Sequence, residues 1–206
     1  MYLPKQFNHP EHARSIILEN PFASLVSNDD EGFPFISHIP IKLMPHATDA
    51  QKDMLLGHVA KGNPHAGFLY KRPQVLLTFM GPQAYMSPAV YPDLIRVPTW
   101  SYVAVHVKAE VRILEGEEAK DSLLKQLIAD HEPAYAQQWR GLPETYTHPM
   151  MNAIVAFEMK MLKVQTKVKL NQHRPEAHAA MHAAYDAGNE SEKALALWMR
   201  RLGLVS

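Results

Sequence analysis

Residues 22–43, FASLVSNDDEGFPFISHIPIKL, limit what this chain can fold into more than any other stretch. Two β-rich runs enclose Asn28-Asp29-Asp30-Glu31-Gly32, which is turn chemistry with one glycine free to take positive φ. A connection that short makes the runs antiparallel neighbours, because a parallel pair needs a long crossover. The same economy recurs downstream. DMLLGHVA (53–60), QVLLTFMG (74–81), QAYMSP (83–88), TWSYVAVHVKAEVRILEG (99–116) and NAIVAFEMKMLKVQTKVKL (152–170) all read as strands. In the fourth of these, Tyr102, Ala104, His106, Lys108 and Glu110 alternate with Val103, Val105, Val107, Ala109 and Val111, so one face is apolar.

Helical signals are fewer. HPEHARSIILENP (9–21) has Pro10 in its first turn, a stripe of Ala13, Ile16 and Ile17, and Pro21 as its stop. GNPHAGFLYKRP (62–73) and GEEAKDSLLKQLIADHEP (116–133) read as helices, and residues 175–203 as two helices broken near Gly188. MPHATDAQK (44–52) reads as an exposed loop. PAVYPDLIRVP (88–98) carries three prolines and reads as irregular. Six or seven strands in hairpins and short-linked pairs predict a mainly β (α+β) fold, an antiparallel barrel with helices packed outside. No glycine-rich fingerprint follows a strand, which argues against a dinucleotide-binding parallel sheet.

The 206 residues suffice for one domain, or one domain with a helical appendage. Twenty-one basic residues balance twenty-one acidic ones, so no net field draws in nucleic acid or an anionic membrane. The absence of cysteine removes disulfides, thiolate catalysis and cysteine-based metal sites. The opening MYLPKQFNHPEHARS has no apolar core of a signal peptide, and no apolar run approaches the roughly 20 residues of a membrane-spanning helix. A cytoplasmic location is the expectation.

Three stretches could carry chemistry. In LLGHVAKGNPH (55–65), Lys61, Gly62, Asn63 and Pro64 stand where a strand gives way to a helix, a place where free N–H groups attract anions. The same residues also make ordinary turns, and both readings stay open. In LKVQTKVKLNQHRP (162–175), Lys163, Gln165, Lys167 and Lys169 share a face if the segment is a strand, and Gln172, His173 and Arg174 follow. A guanidinium there suits a phosphate, though a solvated charge run is the plainer account. In VPTWSYVAVH (97–106), Trp100 and Tyr102 alternate with Thr99 and Ser101 at the mouth of a strand. A metal site gains nothing from spacing: His178 and His182 share a helix face, position 179 is alanine, and the pair reads as two solvent-facing histidines. Ser87 has no spacing-defined base and no nucleophile elbow around it.

MYLPKQF, NPFASLVS, PFISHIPI, LLGHVAKGNPH, GPQAYMSPAVY, VPTWSYVAVHV, AIVAFEM and KVKLNQHRP occur in an order that resembles the PaiB family of FMN-binding negative transcriptional regulators. The resemblance runs over nearly the whole chain. It implies an antiparallel split β-barrel of the FMN-binding type, shared with pyridoxamine-phosphate-oxidase-like flavoproteins, over residues 1–174, with C-terminal helices over 175–206 packed on it. It implies a homodimer with FMN at the subunit interface. Carried over residue by residue, His58, Ala60, Lys61 and Asn63 would face the flavin phosphate. Ser37 and His38 would lie near the ring or ribityl chain, and Thr99 and Trp100 beside them. Lys169, Gln172 and Arg174 would come from the other subunit or the same one. The family commonly has KLSQN where this chain has KLNQH, and tryptophan where Val90 stands.

The function implied is FMN-dependent regulation of transcription; the alternative is an FMN-dependent oxidoreductase acting on a small molecule. DNA as a partner is not supported by the net charge, since DNA affinity comes mainly from phosphate contacts. An enzyme would need an acid–base pair, for which His38, His58 and His106 are the ring candidates in strands. Haem on the same barrel is a minor third reading, with His173 as its axial candidate.

Overall fold

A computed structural model describes residues 1–93 and 95–206. Residue 94, inside the stretch expected to be irregular, lies outside the described residues. Seven strands follow the chain: β1 (Phe22–Asn28), β2 (Pro34–Pro40), β3 (Lys42–Met44), β4 (Met54–Ala60), β5 (Gln74–Met86), β6 (Thr99–Leu114) and β7 (Ile154–Lys169). The helices are α1 (Ala13–Glu19), α2 (Pro64–Lys71), α3 (Glu117–His131), α4 (Tyr135–Gly141), α5 (Glu144–Asn152), α6 (His178–Asp186) and α7 (Glu190–Arg201). The strands form one sheet in the order β2-β1-β5-β6-β7-β4-β3. This is an antiparallel split β-barrel with peripheral helices, and β2 lies against β4.

The predicted hairpin holds. β1 pairs with β2 from Phe22↔Pro40 to Asn28↔Pro34, and Gly32 takes φ +88° in the turn. Three expectations need correction. β5 is one strand, not two: Gly81-Pro82 reads as a break, but beyond it the Gln83 backbone exchanges hydrogen bonds with Ser191 of α7, its N–H donating at 2.8 Å and its carbonyl accepting at 2.7 Å. Residues 134–151, given no element from the sequence, hold α4 and most of α5, and α5 also takes in Asn152, expected as the start of a strand. Pro143 sits at the N-cap of α5 and Pro149 within it. The stretch expected as a loop from residue 44 begins with the last residue of β3 and holds a 3-10 turn at Ala50–Lys52.

Two compact units divide the chain. One comprises Pro21–Phe79 and Val107–Val164. Its core holds Leu25, Leu55, Leu77, Phe79, Phe157 and Met159, all essentially without exposed surface. Burying each contributes roughly 1.5–3 kcal/mol. Gly57 in β4 belongs to this packing, because a Cβ there would meet Ile41 Cδ1 at 2.9 Å and the Phe157 ring at 3.1 Å. The glycine of LLGHVA is therefore a packing residue.

The other unit comprises Met1–Asn20, Met80–His106 and Gln165–Ser206. Ile16, Ile17, Val103, Val105, Leu170, Met181, Leu195 and Met199 form its core. α7 begins with a capping box in which Asn189 and Glu192 each accept from the other's backbone N–H, at 3.0 and 2.8 Å. His178, expected at the surface, is buried, and its Nε2–H donates to the Asn171 carbonyl at 3.0 Å. That bond steadies Asn171, a non-glycine residue with φ +60°. Asparagine tolerates the left-handed region better than most residues, a physical reason for asparagine at this position of KLNQH.

Candidate functional site

In the unit that contains α2, β4 ends at Ala60 and the chain turns through Lys61-Gly62-Asn63 into the helix. The turn is pinned twice: Lys61 N–H donates to the Ala153 carbonyl at 2.7 Å, and Asn63 N–H to the Ala60 carbonyl at 2.9 Å. Asn63 is the N-cap. Its Oδ1 accepts from His65 N–H at 3.0 Å, and Pro64 occupies the first helical position, where its missing donor costs nothing. The Lys61 side chain is exposed and makes no hydrogen bond or ion pair among the described residues.

Behind this turn lies a buried polar cluster. Ser37 of β2 faces inward, and Asn63 Nδ2 donates to its Oγ at 3.0 Å. His65 is fully buried between two hydroxyls, with Nδ1 2.9 Å from Ser37 Oγ and Nε2 3.0 Å from Ser27 Oγ. The Phe35 ring meets the imidazole edge-on, with centroids 5.2 Å apart. Burial holds the His65 pKa below the ordinary imidazole value of 6.5.

Two other expected residues sit on β4. His58 and Ala60 are two apart and share a face. His58 Nδ1 is buried without a partner among the described residues, and burial lowers this ring's pKa too. His38 does not join Ser37. Neighbours on a strand point to opposite faces, and His38 lies outside, 3.0 Å from Ser24 Oγ and stacked on Phe22 at 6.4 Å between centroids.

The remaining expected residues belong to the other unit. Lys169, the last residue of β7, donates to Thr99 Oγ1 at 2.5 Å. Its ammonium sits 6.0 Å from the Tyr102 ring centroid, and burial, then the nearby Lys167, lowers its pKa. Trp100 is exposed, with its ring edge-on to Tyr85 at 6.3 Å. Gln172 is occupied internally: its Nε2 donates to the Val168 carbonyl at 2.6 Å, its Oε1 accepts from Leu170 N–H at 2.9 Å, and Nε2 lies 3.3 Å from His9 Nε2. Arg174 has only a loose partner, Glu176 at 4.0 Å. The Lys167 ammonium is buried, donates to the Tyr2 carbonyl at 3.1 Å and faces the Tyr2 and Tyr102 rings at 5.7 and 5.1 Å.

Sequence reasoning missed Ser27 and assigned no role to His65. Nothing local marks either residue, since 38 positions separate them. It also missed the grouping of His9, Glu11 and His12, whose ligand atoms lie within 4.8 Å of one another. His9 and Glu11 are already satisfied without an ion. His9 Nδ1–H donates to Glu11 at 3.0 Å, and the amide nitrogen of Gln172, fixed by Val168, leaves His9 Nε2 to act as acceptor. A metal on Nδ1 would put the ring hydrogen on Nε2, facing the Gln172 donor.

Comparison with known proteins places this geometry in a family. A family model described as "Putative FMN-binding domain" matches residues 1–163. "Protease synthase and sporulation protein PAI 2" of Bacillus subtilis is 31% identical over 186 residues, which covers 85% of this chain and 84% of that protein. Among solved structures, the flavocytochrome Anf3 of Azotobacter vinelandii aligns with TM-score 0.59 at 13% identity, covering 80% of this chain and 69% of that one. The FAD and haem binding protein of Mycobacterium smegmatis gives 0.58 at 14%, covering 79% and 72%. The two structural likenesses speak for the fold alone. The family match and the PAI 2 likeness together show that this chain belongs to the FMN-binding-domain family.

Proposed function

We propose that the chain binds FMN with its phosphate at the Lys61–Asn63 turn, and acts as a homodimeric, cytoplasmic flavin-binding regulator of the PAI 2 kind. The observation that carries this reading is the set of unspent donors at that turn. Lys61 has an ammonium with no partner among the described residues, and Asn63 Nδ2 uses only one of its two hydrogens on Ser37, while the backbone N–H groups of His65 and Ala66 are already taken by Asn63. A phosphate monoester carries about −1.5 to −2 charges at neutral pH and accepts several such bonds. His58 Nδ1, buried without a partner among the described residues, and the small Ala60 share the strand face that leads to this turn.

Bound FMN would supply redox chemistry through its isoalloxazine ring, and the chain's part is to hold and orient it. Thr99, Trp100, Lys169, Gln172 and Arg174 are proposed to face the flavin held by the partner copy. Arg174 is the freest donor among them. Support for the homodimer comes from the outward face of the β1–β2 hairpin, where Phe22 and Ile36 keep 66% and 52% of their surface in water.

Regulation through a protein partner suits the surface better than direct DNA docking. Arg200 and Arg201 of α7 are engaged by Asp186 at 3.6 Å and Glu19 at 2.7 Å. Glu117, Glu118, Asp121 and Glu144 line a groove between α3 and α5 that would repel a phosphate backbone.

The deciding experiment is an absorption spectrum of freshly purified protein, repeated after excess FMN and desalting. A flavin band that survives desalting, and is lost in Lys61→Ala, supports the reading. Protein that stays colourless after loading overturns it. Steady turnover of reduced nicotinamide with common acceptors would replace the regulatory role by an oxidoreductase one. A gel shift with DNA at low salt would restore direct DNA binding.

A further inference from the structure

The polar cluster behind the α2 turn holds more hydrogen-bonding capacity than a cap requires. Ser27, His65 and Ser37 form a continuous chain, with gaps of 3.0 and 2.9 Å on the two sides of the ring. Asn63 Nδ2 adds a third link to Ser37 Oγ at 3.0 Å. His65 has no exposed surface, and Ser27 and Ser37 keep only 5% and 7%. No ion pair reaches the ring among the described residues, and burial keeps it neutral.

A neutral imidazole has one N–H and one lone pair, so the chain runs in one of two directions. In the first, Ser37 O–H donates to Nδ1 and Nε2–H donates to Ser27. In the second, Ser27 O–H donates to Nε2 and Nδ1–H donates to Ser37, whose own proton is left over. Between them one N–H bond breaks at Nε2 and one forms at Nδ1. The protons exchange through the hydroxyls with water, and net charge is unchanged.

Asn63 biases the choice. An oxygen that accepts a hydrogen bond donates more strongly, so Ser37, accepting from Asn63, donates to Nδ1 when nothing else accepts its proton. An anion beside Asn63 reverses the preference, because it accepts the Ser37 proton in the second direction only. Resting on the reading that a phosphate group sits at the Lys61–Asn63 turn, we propose that His65 is a positioning residue whose tautomer follows occupancy: Nε2–H in the free protein, Nδ1–H when a phosphate monoester is held. Ser27, which touches no ligand, then contributes to affinity through the ring.

The test is side-chain nitrogen NMR of the full-length chain, with the His65 signals assigned by their loss in His65→Gln. Spectra are recorded free, with saturating FMN, and with inorganic phosphate. The expected result is transfer of the ring hydrogen from Nε2 to Nδ1 with either ligand. In parallel, Ser27→Ala should weaken FMN and phosphate by roughly tenfold, and Ser27→Thr, which restores the hydroxyl, should recover most of it. An unchanged tautomer, or a Ser27→Ala protein that loses thermal stability but binds both ligands like wild type, overturns the relay. If Ser27→Ala does not fold, the wild-type tautomer decides alone. Should Lys61→Ala weaken both ligands while the tautomer stays fixed, only the relay falls. Should wild type bind neither ligand, the phosphate site falls and the relay with it.

Discussion

Lys61 and Lys167 are both lysines in stretches that look basic in sequence, yet their surroundings are opposite. Lys61 stands in water just past the end of β4, with no partner for its charge among the described residues. Lys167 is 7% exposed, gives a hydrogen bond to the Tyr2 carbonyl and lies over two tyrosine faces. Aromatic faces stand in for a counter-ion there and tie the first residues of the chain to β7. Gln172 extends the contrast, since both ends of its amide are taken by backbone close to it in sequence. A density of basic residues is thus a poor guide to a ligand site. Donors left unspent by the fold are a better one.

The comparison is broken most severely at His65. His65→Ala removes the partner of two buried hydroxyls and opens a void against Phe35, so urea unfolding should show a loss of about 2–4 kcal/mol. A loss under about 1 kcal/mol would mean that the cluster is not part of the stabilising core. Asn63→Asp separates two roles in one residue. Aspartate caps a helix as well as asparagine, so stability should stay within about 0.5 kcal/mol, whereas FMN affinity read by flavin fluorescence should drop roughly thirtyfold, near 2 kcal/mol, as a carboxylate replaces a donor. Parallel losses in both assays would show that Asn63 is only a cap.

Lys167→Met keeps the buried stem and removes the ammonium. Stability should fall by about 1 kcal/mol, with earlier proteolytic cleavage near the N-terminus and FMN affinity unchanged. A large affinity loss would place Lys167 among the ligand contacts. The gentlest probe is pH. Burial lowers the folded-state pKa of His58 and His65 below 6.5, so the unfolded chain takes up protons first. Their contribution is present above the unfolded value and is lost as pH falls through it toward the folded values. Urea midpoints should therefore decline from pH 8 to pH 5, and the decline should shrink in His65→Gln. A flat profile in wild type would contradict a neutral buried ring.

How far the sequence could be read follows the range of each interaction. The hairpin was legible because Asn28 to Gly32 carries its turn chemistry locally, and α2 because Asn63-Pro64 states its own start. The continuity of β5 was not legible. Its backbone past Pro82 is completed by Ser191, 108 residues away. In the candidate site, Lys61 and Asn63 were visible as an anion-friendly turn. The division of Ser37 from His38 follows from strand alternation and could have been seen. Ser27 could not, because its role depends on β1 and α2 meeting in space. The metal possibility illustrates the converse: His9, Glu11 and His12 are close in sequence and in space, but only the fold reveals that Gln172 dictates which nitrogen of His9 carries the hydrogen.

The cap of α2 has one more consequence. The oxygen of the Asn63 amide is consumed by His65 N–H, and only the nitrogen side remains available. That corner offers hydrogen and accepts none from its cap residue. An ammonium group, which has only hydrogens to give, gains nothing from the Asn63 nitrogen, while an acceptor oxygen does. Discrimination by chemical sign is therefore inherited from the residue that begins the helix, and exchanging its amide for a carboxylate would reverse the preference while the helix start stays as it is.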